Sequence, residues 1–376
     1  MLKLFRVTTT PLTFNLLLKN QLRFLSHYFE VYAISNDEKL LYDYARNEGV
    51  NCFGVVIKRE ISLFNDIITL FRFYFLFKNK SPNIVHTSTP KSSLLSMIAS
   101  WMCGTKIRIY QVTGLRYESE YGIKRFILKQ MEKITCFCAT HIIAESKGVY
   151  ELIYKDNLTN KNVSIVSNGT LNGIDTEYWS QSNISSSQKN ALITELNVLH
   201  CFIFVYVGRI VKDKGIEELV NAFVLLQSKT NKNVKLLLVG NFELSTNSLK
   251  SRLIEQISSN SNIIFTGFQD DVRKYLSISN CLVLPSYREG FPNVCLQASS
   301  MGIPIIMTDV CGSDELINEH SGYMINKYDY QQLCLAMLKM LKNYNKFNSG
   351  IIRNNIINNY KQDVVLNDLL DFYRRL

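Results

Sequence analysis

The strongest constraint on this chain is an alternation, kept up almost throughout, of short apolar runs with longer stretches of helical period. Strand-like runs occur at Leu4–Val7, Val31–Ser35, Val55–Ile57, Ile84–Thr87, Lys106–Val112, His141–Ala144 and Ser164–Ser167. Each parallel strand pair needs a crossover that returns over a face of the sheet, and a helix is the usual crossover. The pattern therefore predicts parallel sheets covered by helices. Its character changes over 179–199, where Ser180–Lys189 is rich in Ser, Asn and Gln without strong periodicity, and a linker is expected. A second series opens at Cys201–Val207 and continues through Lys235–Val239, Ile263–Phe265, Cys281–Leu284 and Ile303–Met307. After Gly322 the pattern reads as helical, 343–361 as a polar excursion, and Val364–Leu376 as a closing helix. The fold class expected is α/β, with two Rossmann-like, doubly wound parallel-sheet domains facing across a cleft. Their expected extents are 1–178, joined by the C-terminal helix 362–376 returning to it, and 200–361.

A chain of 376 residues favours two cores over one, and 47% hydrophobic with 20% charged residues is not a disordered composition. Net charge is +10, and the excess is uneven. Residues 1–180 hold 22 Lys+Arg against 15 Asp+Glu, or +7; the rest holds 20 against 17, or +3. A basic half attracts nucleic acid, an anionic membrane or a phosphorylated substrate. Lys and Arg do not cluster on a recognition helix and no RNA-binding signature occurs, so no nucleic acid partner is expected. No stretch offers ~18 uncharged apolar residues, as a membrane span requires. The N-terminus reads as a first strand, not as a secretory signal. The 9 cysteines include no C-x-x-C pair, and most sit in or beside apolar runs. They read as buried thiols in a reducing compartment, the cytoplasm.

Two loops carry the chemistry. In the first, the strand Val205-Tyr206-Val207 ends at Gly208; Arg209 to Lys214 form a basic loop, and Gly215 opens a helical run. Arg presents a planar fork to phosphate, Lys adds a point charge, and a helix start exposes N–H groups and partial positive charge. Together they suit a diphosphate at the carboxyl end of a strand; an exposed basic loop is the plainer reading. In the second, Leu282-Val283-Leu284 runs into Pro285-Ser286-Tyr287-Arg288-Glu289-Gly290-Phe291-Pro292-Asn293-Val294. Glu289 is placed to accept sugar hydroxyls, or simply to cap the helix, and the N–H groups near Asn293 and Val294 are placed to hold phosphate.

The second half resembles glycosyltransferase family 4, of the two-Rossmann-domain architecture called GT-B. The matching pieces are Gly208-Arg209 with Lys214-Gly215, then Phe265-Thr266-Gly267-Phe268 with Asp271, then Pro285-Ser286 with Glu289-Gly290-Phe291-Pro292-Asn293. Ala298 with Gly302-Ile303-Pro304, and Glu315 with Gly322, complete the series. Order and spacing hold over roughly 165–325, and Asn172-Gly173-Ile174-Asp175 resembles the motif ending the family's first domain. The first half resembles the subset that builds bacterial capsules, O-antigens and lipid-linked oligosaccharides, through Val7-Thr8-Thr9-Thr10, His86-Thr87-Ser88-Thr89-Pro90-Lys91 and Val112-Thr113-Gly114-Leu115.

The resemblance implies a retaining hexosyltransferase that moves a sugar from a nucleoside-diphosphate sugar, a UDP-sugar first, to a polyprenyl-diphosphate-linked glycan. It places Arg209 and Lys214 on the donor diphosphate and Glu289 on the sugar, with Gly208 and the main chain of Gly290, Phe291, Pro292, Asn293 and Val294 around them. Thr266, Gly267 and Phe268 lie against the base. The family's second glutamate, on the ribose, is replaced by Gln297. An amide keeps two hydrogen bonds but loses their charge assistance. That departure leaves an alternative open, a non-catalytic nucleotide-sugar or lipid-binding subunit. With two cations facing the leaving phosphate and no D-x-D motif, no catalytic metal and no cofactor are expected.

His86 ends a first-domain strand and is a candidate catalytic group; a buried histidine in a local capping cluster is the competing reading. Thr10, Lys91, Thr113, Gly114 and Arg116 are candidates for the acceptor side. Leu63–Phe77 holds Phe64, Phe71, Phe73, Tyr74, Phe75 and Phe77, with Lys58, Arg59, Arg72, Lys78 and Lys80 in or beside it. A basic aromatic helix of this kind either packs on the first sheet or lies in the interface of an anionic membrane. The latter predicts a peripheral protein on the inner face of the bacterial cytoplasmic membrane.

Overall fold

The structure is a computed structural model that describes residues 1–58, 62–243 and 248–376. It divides into two compact units, Met1–Gly173 with Asp363–Leu376, and Ile174–Gln362. In the first, β1 (Lys3–Val7), β2 (Glu30–Ser35), β3 (Asn51–Gly54), β4 (Ile84–Thr87), β5 (Ile107–Val112), β6 (His141–Ala144) and β7 (Val163–Ile165) form a seven-stranded sheet in the order β3-β2-β1-β4-β5-β6-β7. All its pairings are parallel. β1 is an interior strand, pairing Leu4 with Val31 on one side and Ile84 on the other. The strand is buried from Leu4 to Val7, and the one charged residue among them, Arg6, is enclosed with the rest.

The second unit holds β8 (Phe202–Val207), β9 (Val234–Val239), β10 (Ile263–Gly267), β11 (Cys281–Leu284), β12 (Ile305–Thr308) and β13 (Gly322–Ile325) in the order β10-β9-β8-β11-β12-β13. It too is wholly parallel. In each sheet the order reverses once, between β1 and β4 and between β8 and β11. At such a switch point neighbouring crossovers leave to opposite faces and open a crevice above the carboxyl ends of the strands. Both units are thus doubly wound α/β sheets, as the alternation predicts. The closing helix is Gln362–Arg374, and its Leu369, Leu370, Phe372 and Tyr373 join the first unit's core with Leu4, Phe14 and Ile84.

Four local expectations are corrected. The expected linker 179–199 contains helix Ser186–Glu195, capped by the Ser185 hydroxyl, and its Leu192 is buried in the second unit's core. The expected polar excursion 343–361 contains helix Ser349–Tyr360, whose Ile352, Ile356 and Tyr360 recur every four residues and are buried. A strand follows Gly322: β13 pairs with β12, and a side chain at Gly322 would strike the Ile305 carbonyl oxygen at 1.9 Å. The third strand is Asn51–Gly54, not Val55–Ile57, because the ladder to β2 pairs Tyr32 with Asn51 and Ser35 with Gly54. Among the described residues no helix is long and apolar enough to cross a membrane. The nine cysteines are all unbridged thiols.

Candidate active site

The second unit's switch point brings the two chemical loops together. Gly208 leaves β8 at φ +151°, and its amide donates to the Val239 carbonyl at 2.9 Å. Beside it Gly240 leaves β9 at φ +148°, where an added Cβ would meet the Gly208 carbonyl oxygen at 1.8 Å. The two strand ends approach this closely only because both lack side chains. The loop from β8 turns back through Gly215 (φ +67°), packed so tightly on the Pro285 carbonyl that a Cβ would lie 2.0 Å from its oxygen. The Tyr287 amide donates to the Asp213 carbonyl at 2.9 Å, stitching the loop of β8 to that of β11.

That stitching sets one contact: Lys214 Nζ lies 2.6 Å from Glu289 Oε1, with both side chains largely out of water. The two residues are 75 positions apart, so only the adjacency of β8 and β11 pairs them. Glu289 leads directly into helix Asn293–Ser300. The helix's first N–H groups have no acceptor within it, so Asn293 and Val294 present donors beside the ion pair. Gln297 stands one turn on from Asn293, on the same helix face. Gly290, Phe291 and Pro292 are buried as the loop enters that helix.

Arg209 is the more exposed cation. Its Nη1 lies 3.0 Å from Glu243 Oε2, and its main-chain oxygen accepts from the Tyr206 hydroxyl at 2.7 Å. Burial and the nearby Glu289 carboxylate drive the Tyr206 phenol well above its usual range, so it stays a hydrogen-bond donor. Thr266, Gly267 and Phe268 sit where β10 ends, two strands from β8. Asn241 joins the two places. Its carbonyl accepts from the Ile210 amide at 2.9 Å, and its side-chain oxygen accepts from the Phe268 amide at 2.8 Å. The Phe268 ring is left 64% exposed, an open apolar surface at the sheet edge. Sequence reasoning missed Gly240, Asn241 and Glu243. The available signal was the repeat of the β8 pattern, a buried strand ending at glycine.

Comparison with known proteins supplies the family. Residues 197–363 match the family described as Glycosyl transferases group 1. The chain is 35% identical over 342 residues to the capsular polysaccharide biosynthesis glycosyltransferase CapM of Staphylococcus aureus, covering 90% of this chain and 87% of that one. The chain belongs to the group 1 glycosyl transferases. This glycosyltransferase is also 25% identical over 351 residues to the Escherichia coli UDP-Gal:alpha-D-GlcNAc-diphosphoundecaprenol alpha-1,3-galactosyltransferase, covering 92% and 89% of the two chains. In fold it resembles Anabaena Alr3699/HepE solved in complex with UDP, with a TM-score of 0.79, 15% identity and both chains fully covered.

In the transferase's first unit Thr10 follows β1, Lys91 follows the end of β4, and Thr113, Gly114 and Arg116 follow β5, while one expected residue is corrected. His86 is not available as a catalytic group. It is fully buried, its Nε2 donates to Gln111 Oε1 at 3.1 Å, and its Nδ1 accepts from the Tyr373 hydroxyl. The Arg6 guanidinium donates to the same Gln111 oxygen, to Gln21 and to the His86 carbonyl. Burial, reinforced by Arg6, holds the imidazole well below its usual range, and it is neutral. Tyr373 comes from the closing helix, so this network ties that helix to the sheet.

The loops above β1 and β4 meet through hydroxyls: the Thr9 amide donates to Thr89 Oγ1 at 2.7 Å, and Thr89 Oγ1 lies 2.7 Å from Ser92 Oγ. Thr10 opens helix Pro11–Leu17, and its hydroxyl lies 3.3 Å from that of Thr13. Thr113 donates to the Ser88 carbonyl at 2.7 Å, and Gly114 turns the chain at φ +103°. Lys91 is paired with Asp66 at 2.6 Å, and Arg116 is exposed. Helix Leu63–Lys80 meets both sequence readings at once. Thr69, Phe73 and Phe77 are buried against the unit, while Leu63, Phe64, Ile67, Phe71 and Phe75 are exposed. Arg59 lies outside the described residues.

Proposed function

We propose that this glycosyltransferase transfers a sugar from a UDP-sugar, with retention, to a polyprenyl-diphosphate-linked glycan in capsule or related cell-surface polysaccharide synthesis. The observation that carries this reading is the Lys214–Glu289 pair, 2.6 Å apart at a switch point beside a helix start. Breaking the bond from the anomeric carbon to the donor oxygen leaves the electron pair on the nucleoside diphosphate. Cations held in place before the reaction favour that charge. In the free chain Glu289 keeps Lys214 aimed into the partly dry loop junction. With donor bound, Lys214 and Arg209 turn to the diphosphate, Glu289 accepts hydroxyls of the sugar, and the N–H groups of Asn293 and Val294 add donors. Phe268 offers the base a flat apolar surface, and Gln297 bonds the ribose. The acceptor hydroxyl forms the new bond and its proton passes to the leaving phosphate. No metal is needed in this scheme.

The relatives support it: the Escherichia coli protein carries UDP-Gal and a diphosphoundecaprenol in its name, and HepE was solved with UDP. The exposed apolar helix Leu63–Lys80 and the N-terminal charge excess support attachment to the cytoplasmic face of an anionic membrane. The test is a melting-temperature panel of nucleotides and sugar nucleotides, followed by transfer assays with and without EDTA. A UDP-sugar should stabilise the protein most, and transfer should survive the chelator. Stabilisation by guanosine nucleotides alone, or chelator-sensitive turnover, contradicts the donor and metal assignments respectively.

A further inference from the structure

Three helices of the first unit, Leu63–Lys80, Pro90–Met102 and Gly122–Cys138, run side by side along one face of the sheet. All three are parallel crossovers, so their N-terminal ends lie at the carboxyl edge of the sheet. Between them lies a cavity of about 320 Å³ that the donor chemistry does not use. That volume is at the lower end of small-molecule sites, ~300–1,000 Å³. Its walls are apolar: Ile67, Leu70, Leu94, Leu95, Leu128 and Met131. Its charged lining at the carboxyl edge is Asp66, Lys91 and Arg116, and Glu132 and Thr135 line it farther along. Asp66 holds Lys91 at 2.6 Å, and both are largely shielded from water. Two cations, with the positive end of helix Pro90–Met102, outweigh the one carboxylate there.

Deeper in, Glu132 accepts from the Tyr110 hydroxyl at 2.5 Å, and burial pushes its carboxyl up to about 7. The deep end therefore does not carry a fixed full charge at neutral pH. The outer surface continues the apolar character. Leu63 and Phe64 stand exposed on one side of the groove, and Ile123, Phe126 and Ile127 on the other. Aromatic and branched side chains exposed on the two helices that flank Pro90–Met102 form apolar surface that water does not favour.

We propose that this groove holds the head-proximal part of the polyprenyl chain of the lipid diphosphate acceptor, with Lys91 and Arg116 taking the diphosphate. The inference rests on the acceptor reading above and names where that lipid binds. Charge selects the occupant: a diphosphate diester carries two negative charges, whereas a common phospholipid's phosphodiester carries one. Shape agrees, because a single slot suits one unpaired chain. Exposed Leu63, Phe64, Ile123 and Phe126 then carry the rest of the chain into the bilayer.

The full chain should be titrated with farnesyl diphosphate, farnesol, inorganic pyrophosphate and lysophosphatidylglycerol, with UDP as a control for the second unit. Farnesyl diphosphate should bind at least about tenfold tighter than any of the other three lipid or phosphate probes. Met131→Trp, which fills the groove, should weaken farnesyl diphosphate about tenfold or more and leave the UDP response intact. Arg116→Ala, on an exposed side chain, should weaken farnesyl diphosphate and pyrophosphate but not farnesol. Unchanged farnesyl diphosphate binding in both variants would overturn the proposal. So would pyrophosphate binding as tightly as the lipid, or equal binding of lysophosphatidylglycerol, which would assign the groove to bulk phospholipid. If farnesyl diphosphate binds in the groove while no UDP-sugar supports transfer, the groove stands and the transfer reading falls.

Discussion

The two switch points of this glycosyltransferase share a topology and differ in chemistry. Above β8 and β11 stand two cation–carboxylate pairs, Lys214–Glu289 and Arg209–Glu243, on loops tightened by glycine. Above β1 and β4 stand hydroxyls, Thr9, Thr89 and Ser92, while the one histidine at that place is sealed beneath them. Under the proposed reaction the second sheet must stabilise charge, and it presents ions that a donor could recruit. A sheet whose hydroxyls are spent on one another presents a scaffold, and its cations Lys91 and Arg116 lie to one side, over an apolar groove. The difference teaches that a parallel sheet supplies the place for a ligand but not its chemistry.

The comparison can be broken most sharply at Lys214. Lys214→Ala should lower kcat by about 10²- to 10³-fold, the usual cost of removing one preorganised charge-stabilising donor. Its melting curve should stay cooperative, and near-normal turnover would remove the ion pair from the mechanism. His86→Asn is the counterpart in the first unit. It should cost about 1–3 kcal/mol of stability, because Tyr373 and Gln111 lose a buried partner, and leave kcat unchanged. A large loss of kcat at constant stability would restore His86 to the chemistry.

Glu132 sharpens the same contrast through pH. Its folded carboxyl titrates near 7, above the ordinary value of 4.5. The stability it contributes is therefore complete below about 4.5 and is lost as pH rises toward 7, at no more than about 1.4 kcal/mol per pH unit. Glu132→Gln should gain on the wild type across that interval in chemical denaturation. A constant difference between the two would show that Glu132 does not titrate there. His86 works with the opposite sign: its folded value is depressed, so its contribution falls as pH drops below 6.5. The smallest effect is expected at Gln297. Gln297→Glu should preserve or modestly tighten donor binding by restoring a charge-assisted bond. Loss of donor binding in that variant would contradict the ribose role.

Most strands were legible, because a buried parallel strand must be a short apolar run and the helix between two strands must carry a 3.6-residue stripe. The two basic and acidic loops were legible for a related reason: glycine after a strand, then charge, then a helix start, is a local pattern. Where legibility failed, the deciding contact was not local. β13 is four residues long and exists because β12 offers it a ladder. Helix Ser349–Tyr360 hides its Ile352, Ile356 and Tyr360 among Asn and Arg, so average composition concealed its stripe.

By itself, then, the sequence determined the class of fold, the order of most of its strands and the residue types at most strand ends. Period and propensity act over a few residues, and those features are settled within that range. Only tertiary structure decided which strand ends are neighbours, and so which side chains meet. Lys214 meets Glu289 across 75 residues because β8 lies beside β11. His86 is neutral and enclosed because Tyr373, 287 residues onward, returns on the closing helix to bond it. Burial and charge pairing are properties of what surrounds a group in space, and chain neighbours supply only a small part of those surroundings.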